Sequence, residues 1–383
     1  MKRKIYLDFA AAAPMDSQVV AAMKPYFTDL FHNPSAIYLD GRAANSQLQK
    51  YRKEAAQILG AKPAEIIFTS GATESNNLAI AGIMDRYPNA KLAVSAIEHE
   101  SVLEPAKLYN HQLIPVSPGG IVEVSQLEKK ISDNTVLISI MMINNEIGSL
   151  QPLKDISARI EQIRVQRREA NNKLPLYLHT DAAQAGNLFD LHVSRLGVDL
   201  MTINGGKIYG PKQSGLLYAR AGVELKAQIL GGGQEFGWRS GTESLAAIAG
   251  LVTAIKLAQN NRKISLEKTK KLTEVFATQL QKALPEVGIN RDKKYHSPHI
   301  ISATFPGYDN ERLLMELDEA GIAVGTGSAC SASKENPSHV LAAIGLSDRE
   351  SRSTLRFSFG KSTTAEDLAY VIQKLSQITS PRQ

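Results

Sequence analysis

Residues 178–215, which begin with "LHTDAAQA" and end with "TINGGKIYGPKQSG", are the stretch that decides the fold. An apolar, buried-looking strand ends at Asp181, and a second apolar strand ends shortly before Lys207, which lies between glycines. The separation of 207 − 181 = 26 residues is enough for one crossover between neighbouring parallel strands. We therefore expect both side chains at the carboxyl edge of one sheet.

The sequence around this stretch alternates in the same way. Short apolar runs such as "KLAVSAI", "QLIPVS" and "TVLISIMMI" are separated by longer helical patterns through the first two thirds of the chain. Such alternation indicates an α/β domain, in which helices cover both faces of a mostly parallel sheet. We assign this large domain to residues 15–258.

From about residue 260 the organisation changes to an α+β pattern. Helical patterns such as "LEKTKKLTEVFATQLQKAL" are followed by the strand-like runs "HIISATF" and "STLRFSF". We expect a smaller domain made of residues 1–14 and 259–383, with a mobile loop at about residues 325–337. Ligand sites favour domain interfaces, so such a loop could carry a reactive group into a cleft.

The composition bounds the location of the protein. The chain has 383 residues, 43% of them apolar and 21% charged, which is ordinary for a soluble globular protein. Its single cysteine, Cys330, excludes an intrachain disulfide and favours a reduced, cytoplasmic location. No uncharged apolar run reaches the roughly 18 residues that span a bilayer, and Asp8 interrupts the apolar start. We expect neither a membrane span nor a secretion signal.

The formal net charge of +6 raises the question of nucleic-acid binding. The basic clusters "IRVQRREANNK" and "LEKTKKL" lie within helical patterns whose apolar residues recur at helical spacing, which is typical of solvated helix faces. Direct nucleic-acid binding is therefore not expected, while an acidic protein partner or a transfer RNA stays open.

The pair Lys207 and Asp181 points to one cofactor. A lysine kept from bulk water can act as an amine nucleophile, and a buried carboxylate needs a partner. Pyridoxal phosphate satisfies both, because its protonated ring nitrogen lies beside a carboxylate and its ring then serves as an electron sink. Taken alone, Lys207 would be a surface lysine in a turn, and Asp181 could equally be a helix N-cap.

A third feature is the turn "FTSGATESNNLA", which joins a strand to a helix. Ser70, Gly71, Ala72 and Thr73 lie at the start of that helix, where unpaired backbone N–H groups and a hydroxyl can bind phosphate. A capping box, with Ser70 or Thr73 near Glu74, explains the same residues without a ligand. The lysine, the aspartate and this turn together are far more specific than any one of them.

Cys330 lies in "GSACSASKENPSH", residues 327–339. This segment has too few apolar residues to bury a structural cysteine, so a reactive thiolate is the favoured interpretation.

The whole chain resembles the NifS/IscS-like cysteine desulfurases, which are class V aminotransferase-family enzymes of pyridoxal-phosphate fold type I. The resemblance rests on motifs in the family's order: "IYLDFAAAAP", "NPSAIY", "IIFTSGATESNNLAI", "EHESVLEP", "NNEIG", "HTDAAQA", "GKIYGPKQSG", "GGGQEFGWRSGTES", "GSACSAS" and "LRFSFGK". The fold implied is a large domain with a mostly parallel sheet flanked by helices, plus a smaller α+β domain.

The resemblance also implies roles for residues. Lys207 would hold pyridoxal 5′-phosphate covalently and move the substrate α-proton, while Asp181 would bind the ring nitrogen. Gln184 and Asn145 would lie near the ring hydroxyl and the substrate. His99 would stack on the ring and act as an acid or base, although a histidine at a strand end is by itself more often a satisfied core or loop residue.

Further implied roles concern the phosphate and the substrate. Gly71, Ala72, Thr73 and Asn204 would help to bind the cofactor, and Thr242 would reach the phosphate of a neighbouring subunit, which implies a homodimer. Asn33 and Arg356 would bind the substrate carboxylate, since arginine matches that group bidentately. For Arg356 alone, a surface salt bridge would be the ordinary interpretation.

Cys330 would take the sulfur of L-cysteine as a persulfide, leave L-alanine, and pass the sulfur to an acceptor protein. That acceptor would be an iron–sulfur cluster scaffold or a tRNA thiolation enzyme. Mobility of the loop would let one sulfur atom collect in the cleft and deliver outside it.

Two positions depart from the family pattern. The family usually has a serine three residues before the cofactor lysine and a histidine immediately before it, and here these positions are Asn204 and Gly206. Asn204 can still donate a hydrogen bond, whereas Gly206 has no side chain, so cofactor affinity is open. A selenocysteine lyase or another class V enzyme is the first alternative function. A catalytically degenerate protein that keeps the fold for binding or scaffolding is the second.

Overall fold

We describe a computed structural model of the protein, in which residues 4–327 and 337–380 are described. Twelve strands are seen in this part of the chain: β1 (Ile5–Tyr6), β2 (Ile66–Thr69), β3 (Lys91–Ser95), β4 (His111–Ile114), β5 (Thr135–Ser139), β6 (Tyr177–Asp181), β7 (Leu200–Asn204), β8 (Gly215–Ala219), β9 (Gly288–Ile289), β10 (Ile300–Thr304), β11 (Ile322–Ala323) and β12 (Thr354–Ser358).

Thirteen α-helices accompany these strands within the described residues: α1 (Ser17–Met23), α2 (Pro25–Thr28), α3 (Leu39–Leu59), α4 (Ala72–Met84), α5 (Glu100–Ala106), α6 (Val124–Glu128), α7 (Leu153–Glu169), α8 (Val193–Leu196), α9 (Leu245–Ala283), α10 (Asn310–Glu319), α11 (His339–Ala343), α12 (Asp348–Ser351) and α13 (Ala365–Thr379). Short 3₁₀ segments lie at Pro63–Glu65, Gly205–Lys207 and Glu235–Gly237.

Local sequence sets several helix ends. Asp16 and Asp309 accept hydrogen bonds from first-turn N–H groups of α1 and α10, and Thr364 forms a capping box with Asp367 at the start of α13. Helix α3 ends at Gly60, whose φ of 67° lies in the left-handed region that glycine adopts without penalty.

The large sheet has seven strands in the order β2-β8-β7-β6-β5-β3-β4. Strand β8 is antiparallel to both of its neighbours, and the other neighbouring pairs are parallel. The expectation of a mostly parallel α/β sheet is confirmed. Side chains of β2, β5, β6 and β8 are buried along their whole length, as expected for strands with helices on both faces.

This strand order collects several loops at one edge of the sheet. Strands β6 and β7 are parallel neighbours, as the 26-residue spacing predicts, with Asp181 paired with Thr202. Strand β2 runs in the same direction as β7, because each is antiparallel to β8. The carboxyl ends of β2, β3, β5, β6 and β7 therefore share one edge, and the loops that follow them carry the turn before α4, His99, Asn145, Asp181 and Lys207.

A second apolar cluster lies outside the large sheet. It surrounds the antiparallel sheet β12-β10-β9 and includes Phe276 of α9, whose ring packs against Phe357 and Phe359 at centroid distances of 5.2 and 5.5 Å. Ile5 and Leu7 belong to the same cluster, and β1 pairs with β11. These contacts support the proposal that the first residues join a smaller domain.

Helix α9 runs for 39 residues and crosses the boundary that we place between residues 258 and 259. Residues Leu245–Ala258 of this helix contribute buried side chains to the core of the large sheet, whereas Phe276, Ala277 and Leu280 belong to the second cluster. The two-domain division remains our proposal, and the connection at this boundary is a continuous helix.

Candidate active site

A cleft of about 240 Å³ opens at the carboxyl edge of the large sheet. Most of the residues that the sequence singles out line it: Ala72, Thr73, His99, Asn145, Asp181, Gln184, Asn204, Lys207 and Arg356. They come from six separate segments of the chain, and strand order is what brings them together.

Asp181 forms the floor of the cleft and is 4% exposed. Its Oδ1 accepts the N–H of Ala183 at 2.8 Å, and its Oδ2 accepts the side-chain amide of Asn76 at 2.8 Å. The first contact is an Asx turn, and a turn rather than an α-helix follows Asp181, so the N-cap alternative is wrong. No described cation forms a salt bridge with this carboxylate.

Two buried titratable groups near Asp181, His179 and Glu98, have shifted pKa values. Burial lowers the pKa of His179 to about 3, and its ring nitrogens pair with the hydroxyls of Ser139 and Thr202. Burial, with a smaller contribution from Asp181, raises the pKa of Glu98 well above its usual range, against the opposing hydrogen bond from the N–H of Met141. Both shifts favour the uncharged form of the side chain, and His179 is neutral near pH 7.

Lys207 ends the short 3₁₀ segment that follows β7 and is half-buried. Its Nζ donates to the carbonyl of Ala11 at 2.5 Å, and both residues line the cleft. Asn204 accepts the N–H of Gly206 through Oδ1 at 3.2 Å. Because the amide oxygen is used in this way, the Asn204 side chain presents its NH₂ group as the donor for a ligand.

His99 is the N-cap of α5. Its Nδ1 accepts the N–H of Ser101 at 3.0 Å and lies 2.9 Å from the Ser101 hydroxyl. Nδ1 is therefore satisfied by local protein groups, as expected for an ordinary loop histidine. The ring nevertheless lines the cleft. Nε2 makes no hydrogen bond with a described residue.

Helix α4 begins at the cleft beside β2. Its N-cap is Gly71, with φ 142°, and no side chain caps the first turn, so N–H groups of that turn lack an intrahelical acceptor. Ser70 is engaged elsewhere, because its N–H and hydroxyl both donate to Glu74 Oε2. The capping-box alternative therefore accounts for the contacts between Ser70 and Glu74. It does not account for Ala72 and Thr73, which line the cleft.

Arg356 lies on β12 and reaches the cleft from the second sheet, with only 2% of its surface exposed. Its NH2 group donates to Asp8 Oδ1 at 2.6 Å and its NH1 group donates to the carbonyl of Asn145 at 3.0 Å. Its buried Nε has no hydrogen-bond partner among the described residues. A Cβ added at Gly325 would lie 2.8 Å from NH2, so glycine there gives the guanidinium its room.

The two asparagines of "NNEIG" have different tasks. Asn144 is fully buried, and its side chain bonds the carbonyl of Ile97 and the N–H groups of Glu146 and Ile147. These contacts fix the turn, so that the next side chain, Asn145, lines the cleft.

Gln184 lines the cleft but is largely satisfied by protein groups. Its amide donates to the carbonyl of Ala10 at 2.9 Å, and its Oε1 lies 3.4 Å from His299 Nε2. Burial, with help from His296 and Arg356, lowers the pKa of His299 to about 3, so that imidazole is neutral and donates to Gln184.

Glu146 lies between the cleft and the end of the cysteine segment. It is 3% exposed, and burial raises its pKa despite the hydrogen bond that Ser338 donates to Oε2 at 2.6 Å. The next residue, His339, donates from Nε2 to the carbonyl of Glu98 at 2.9 Å when that nitrogen carries the proton.

Of the predicted site residues that the structure describes, Asn33, Thr242 and Gly71 do not line the cleft, and Gly71 is the N-cap of α4. Asn33 accepts the N–H of Ser35 through Oδ1 in an exposed turn. Thr242 is exposed and borders a separate cleft of about 330 Å³, with Ser70 and Lys212. Cys330 lies outside the described residues.

Sequence reasoning missed three residues of the site. Asp8 pairs with Arg356 across 348 residues, and Asn76 and Ser101 connect Asp181 with His99. Each lies within a motif quoted for the family resemblance, but only the folded contacts show its partner.

In the described ranges, no helix combines the length and apolarity needed to cross a membrane. The same ranges contain no group of three or more histidine, cysteine, aspartate or glutamate side chains that could hold a metal ion.

The aminotransferase class-V family model matches residues 5–371. Because this match spans nearly the whole chain, the chain belongs to the class-V aminotransferase family. Among curated proteins it is similar to a cysteine desulfurase IscS of Dictyoglomus turgidum, with 38% identity over 385 residues that cover 99% of this chain and 95% of the relative. The resemblance inferred from the motifs is confirmed.

Solved structures agree with this assignment. A NifS-like protein superposes with a TM-score of 0.89 at 29% identity, covering 98% of this chain and 99% of that one. A structure described as SspA in complex with cysteine superposes with a TM-score of 0.78 at 34% identity, covering 94% and 99% of the two chains.

Proposed function

We propose that this chain is a pyridoxal 5′-phosphate-dependent cysteine desulfurase. It converts L-cysteine to L-alanine and keeps the sulfur as a persulfide on Cys330. The observation that carries the proposal is the convergence of Lys207, Asp181, His99 and Arg356 on one cleft. The names of the similar proteins support the same reaction.

The residues of the cleft fit the cofactor. A buried carboxylate without a cationic partner, Asp181, suits a protonated ring nitrogen, and an amine, Lys207, lies in the same cleft. The start of α4 at Ala72 and Thr73, with the amide of Asn204, suits a phosphate. When bound, the cofactor supplies an electron sink that weakens bonds to the substrate α- and β-carbons.

The substrate carboxylate would be held by Arg356. Its buried Nε lacks a described partner, which is the kind of donor a bound anion satisfies. Asn145 would contribute an amide, and Asn33 remains a predicted contact. That a similar protein was solved with cysteine supports L-cysteine as the substrate.

The proton transfers would fall to Lys207, which moves the α-proton, and to His99, whose Nε2 faces the cleft. The thiolate of Cys330 would then bond to the substrate sulfur as the bond between that sulfur and the β-carbon breaks. The electron pair of the broken bond stays with carbon, which takes a proton and leaves as alanine, so no external oxidant or reductant is needed. An acceptor protein, either an iron–sulfur cluster scaffold or a tRNA thiolation enzyme, would take the sulfur.

A homodimer is part of the proposal. Two stretches expose large apolar side chains, including Phe31 (68% exposed), Ile37 (90%), Leu39 (75%) and Leu230 (83%). Clusters of exposed large apolar side chains are typical of interaction sites, and residues 31–39 carry three of these four within nine positions. Thr242 borders its own cleft, as expected for a residue that serves the site of a neighbouring subunit. A cytoplasmic location and the absence of direct nucleic-acid contacts complete the proposal.

The test begins with the visible absorbance of the purified protein, before and after L-cysteine. A lysine-bound cofactor gives an absorbance band that changes on adding cysteine, and Lys207→Ala must abolish the covalent link. Cys330→Ala must keep the band but lose alanine production. Wild-type alanine production by Cys330→Ala would contradict the persulfide role.

Two alternatives have distinct outcomes in the same assay. Selenocysteine turned over far faster than cysteine would favour a selenocysteine lyase. A protein that stays colourless with added pyridoxal phosphate would favour the degenerate scaffold.

A further inference from the structure

A hydrogen-bonded chain beneath the cleft joins two of the proposed site residues. Asn76, on α4, is fully buried. Its Nδ2 donates to Asp181 Oδ2 at 2.8 Å and to the Ser101 hydroxyl at 2.8 Å. Ser101 Oγ lies 2.9 Å from His99 Nδ1.

The direction of each bond in this chain is determined by its chemistry. An ionised carboxylate only accepts, so Asp181 must face the NH₂ group of Asn76 rather than its oxygen. The second amide proton reaches Ser101 Oγ, which leaves the hydroxyl proton free to point at His99 Nδ1. The N–H of Ser101 also donates to Nδ1, so the hydroxyl is one of two Ser101 donors that favour the acceptor state of this ring nitrogen, and losing the hydroxyl weakens that preference.

Asn76 Oδ1 supports the same orientation. It is buried and has no hydrogen-bond partner among the described residues, whereas both amide protons are used. A buried amide oxygen without a partner is unfavourable, and turning the amide over would satisfy it only by breaking both donor contacts. The Asn76 side chain therefore acts as a double hydrogen-bond donor, to Asp181 and to Ser101.

We propose that Asn76 is a positioning residue that couples Asp181 to His99 through the hydroxyl of Ser101. Its amide fixes the Asp181 carboxylate, and through Ser101 it holds neutral His99 with the proton on Nε2, the nitrogen left for the cleft. The consequence for proton transfer rests on the proposed function, whereas the tautomer of His99 is a property of the cofactor-free chain.

The first test is the ¹⁵N spectrum of the cofactor-free protein in alkaline buffer, where imidazoles are neutral. The His99 signals are assigned by their loss in His99→Gln. We expect the shifts of Nδ1 and Nε2 to be well separated, as in the Nε2–H tautomer. Asn76→Leu and Ser101→Ala should each move the two shifts towards one another, and Ser101→Thr, which keeps the hydroxyl, should not.

The double variant Asn76→Leu/Ser101→Ala distinguishes a relay from two independent effects. If Asn76 acts through Ser101, the double variant shows the same His99 shifts as Ser101→Ala alone. Additive changes, or wild-type shifts in a folded Asn76→Leu, would overturn the proposal. If Asn76→Leu does not fold, the comparison of Ser101→Ala with Ser101→Thr still tests the proposal. Equal His99 spectra for these two variants would show that the Ser101 hydroxyl does not influence the His99 tautomer.

A second measurement tests the Asp181 branch. The Asn76→Leu variant loses a donor to a charged group, so its dissociation constant for pyridoxal phosphate should rise about 10-fold or more. Ser101→Ala leaves that donor in place and should change the constant less than about 3-fold. If neither the wild type nor any variant binds pyridoxal phosphate, the proposed function is wrong. The ¹⁵N spectra of the cofactor-free protein would still test the role of Asn76 independently.

Discussion

Restoring a side chain at residue 206 tests whether the glycine there weakens cofactor binding. Gly206 precedes Lys207, at the position where the family usually has a histidine that reaches the phosphate. Its φ lies outside the left-handed region, and a Cβ built there would lie 3.7 Å from both Asn204 Oδ1 and Lys212 Cγ. These are ordinary van der Waals distances, so a β-carbon fits at residue 206 without strain, and we expect Gly206→His to fold.

The expected gain follows from one hydrogen bond to a charged group. Such a bond contributes about 1.5–3 kcal/mol, and immobilising an imidazole offsets about 0.5–1 kcal/mol of it. The net of about 0.5–2.5 kcal/mol corresponds to a dissociation constant for pyridoxal phosphate lower by about 2- to 70-fold. Absorbance titration of the cofactor-free protein measures this constant directly.

Two matched variants and one ligand control the result. Gly206→Ala adds only the Cβ and should leave the dissociation constant within about 2-fold of the wild type, with stability equal or about 0.4–1 kcal/mol higher. At Gly205, by contrast, a Cβ would lie 2.1 Å from Ser214 Oγ and 2.9 Å from the carbonyl of Pro211. Gly205→Ala should therefore destabilise the protein by about 1–3 kcal/mol.

Pyridoxal, which lacks the phosphate, should bind wild type and Gly206→His equally. A folded Gly206→His protein that binds pyridoxal phosphate no more tightly than Gly206→Ala would refute the reasoning, because the open space would then not face the phosphate.

Three further predictions concern buried charged or titratable side chains. Arg52 and Glu235 form a bidentate ion pair at 2.6 and 2.7 Å, and both side chains are nearly inaccessible to solvent. Arg52→Ala leaves the Glu235 carboxylate buried without its partner and should lower the free energy of unfolding, measured by urea denaturation, by about 3–5 kcal/mol. A loss below about 1 kcal/mol would contradict this prediction. Arg356→Lys loses the planar fork and should raise KM for L-cysteine about 10-fold or more while cofactor affinity stays within about 2-fold; an unchanged KM would exclude a carboxylate contact. The folded protein lowers the pKa values of His179 and His299 from the ordinary 6.5 to about 3. As the pH falls from about 7.5 to about 5, these two histidines therefore bind protons only in the unfolded chain. Each should lower the free energy of unfolding by about 2 kcal/mol over this range. His179→Gln should show a pH dependence shallower by about that amount, and identical slopes would mean that the folded protein also protonates there.

The sequence predicted the edge of the sheet well, because the relevant signals are local. The apolar runs that end at Asp181 and before Lys207 are strands β6 and β7, and their spacing correctly predicted neighbouring parallel strands. The start of α4 at residues 71–73 was predicted for the same reason, since a strand, a glycine turn and a helix follow one another directly.

What the sequence did not show depends on contacts between distant segments. The change to an α+β pattern indicated a domain boundary near residue 260, yet α9 continues across that boundary because its two halves bury their apolar faces in different cores. The pairing of Asp8 with Arg356 joins residues 348 apart and has no local signal. The placement of Asn33 and Thr242 outside the cleft is of the same kind, because local sequence does not show which distant segments share a cleft.

The electrostatics of the cleft floor connect the fold to the proposed chemistry. Asp181 is 4% exposed, and its described hydrogen-bond donors are the neutral amides of Asn76 and Ala183. Burial lowers the pKa of His179 to about 3, so this neighbouring imidazole is neutral near pH 7 and supplies no countercharge. A buried carboxylate is costly unless a cation pairs with it, and no described residue forms a salt bridge with this one. Asp181 is thus a buried acceptor whose described hydrogen-bond donors are both neutral amides, and under the proposed function a protonated ring nitrogen in the cleft would be its cationic partner.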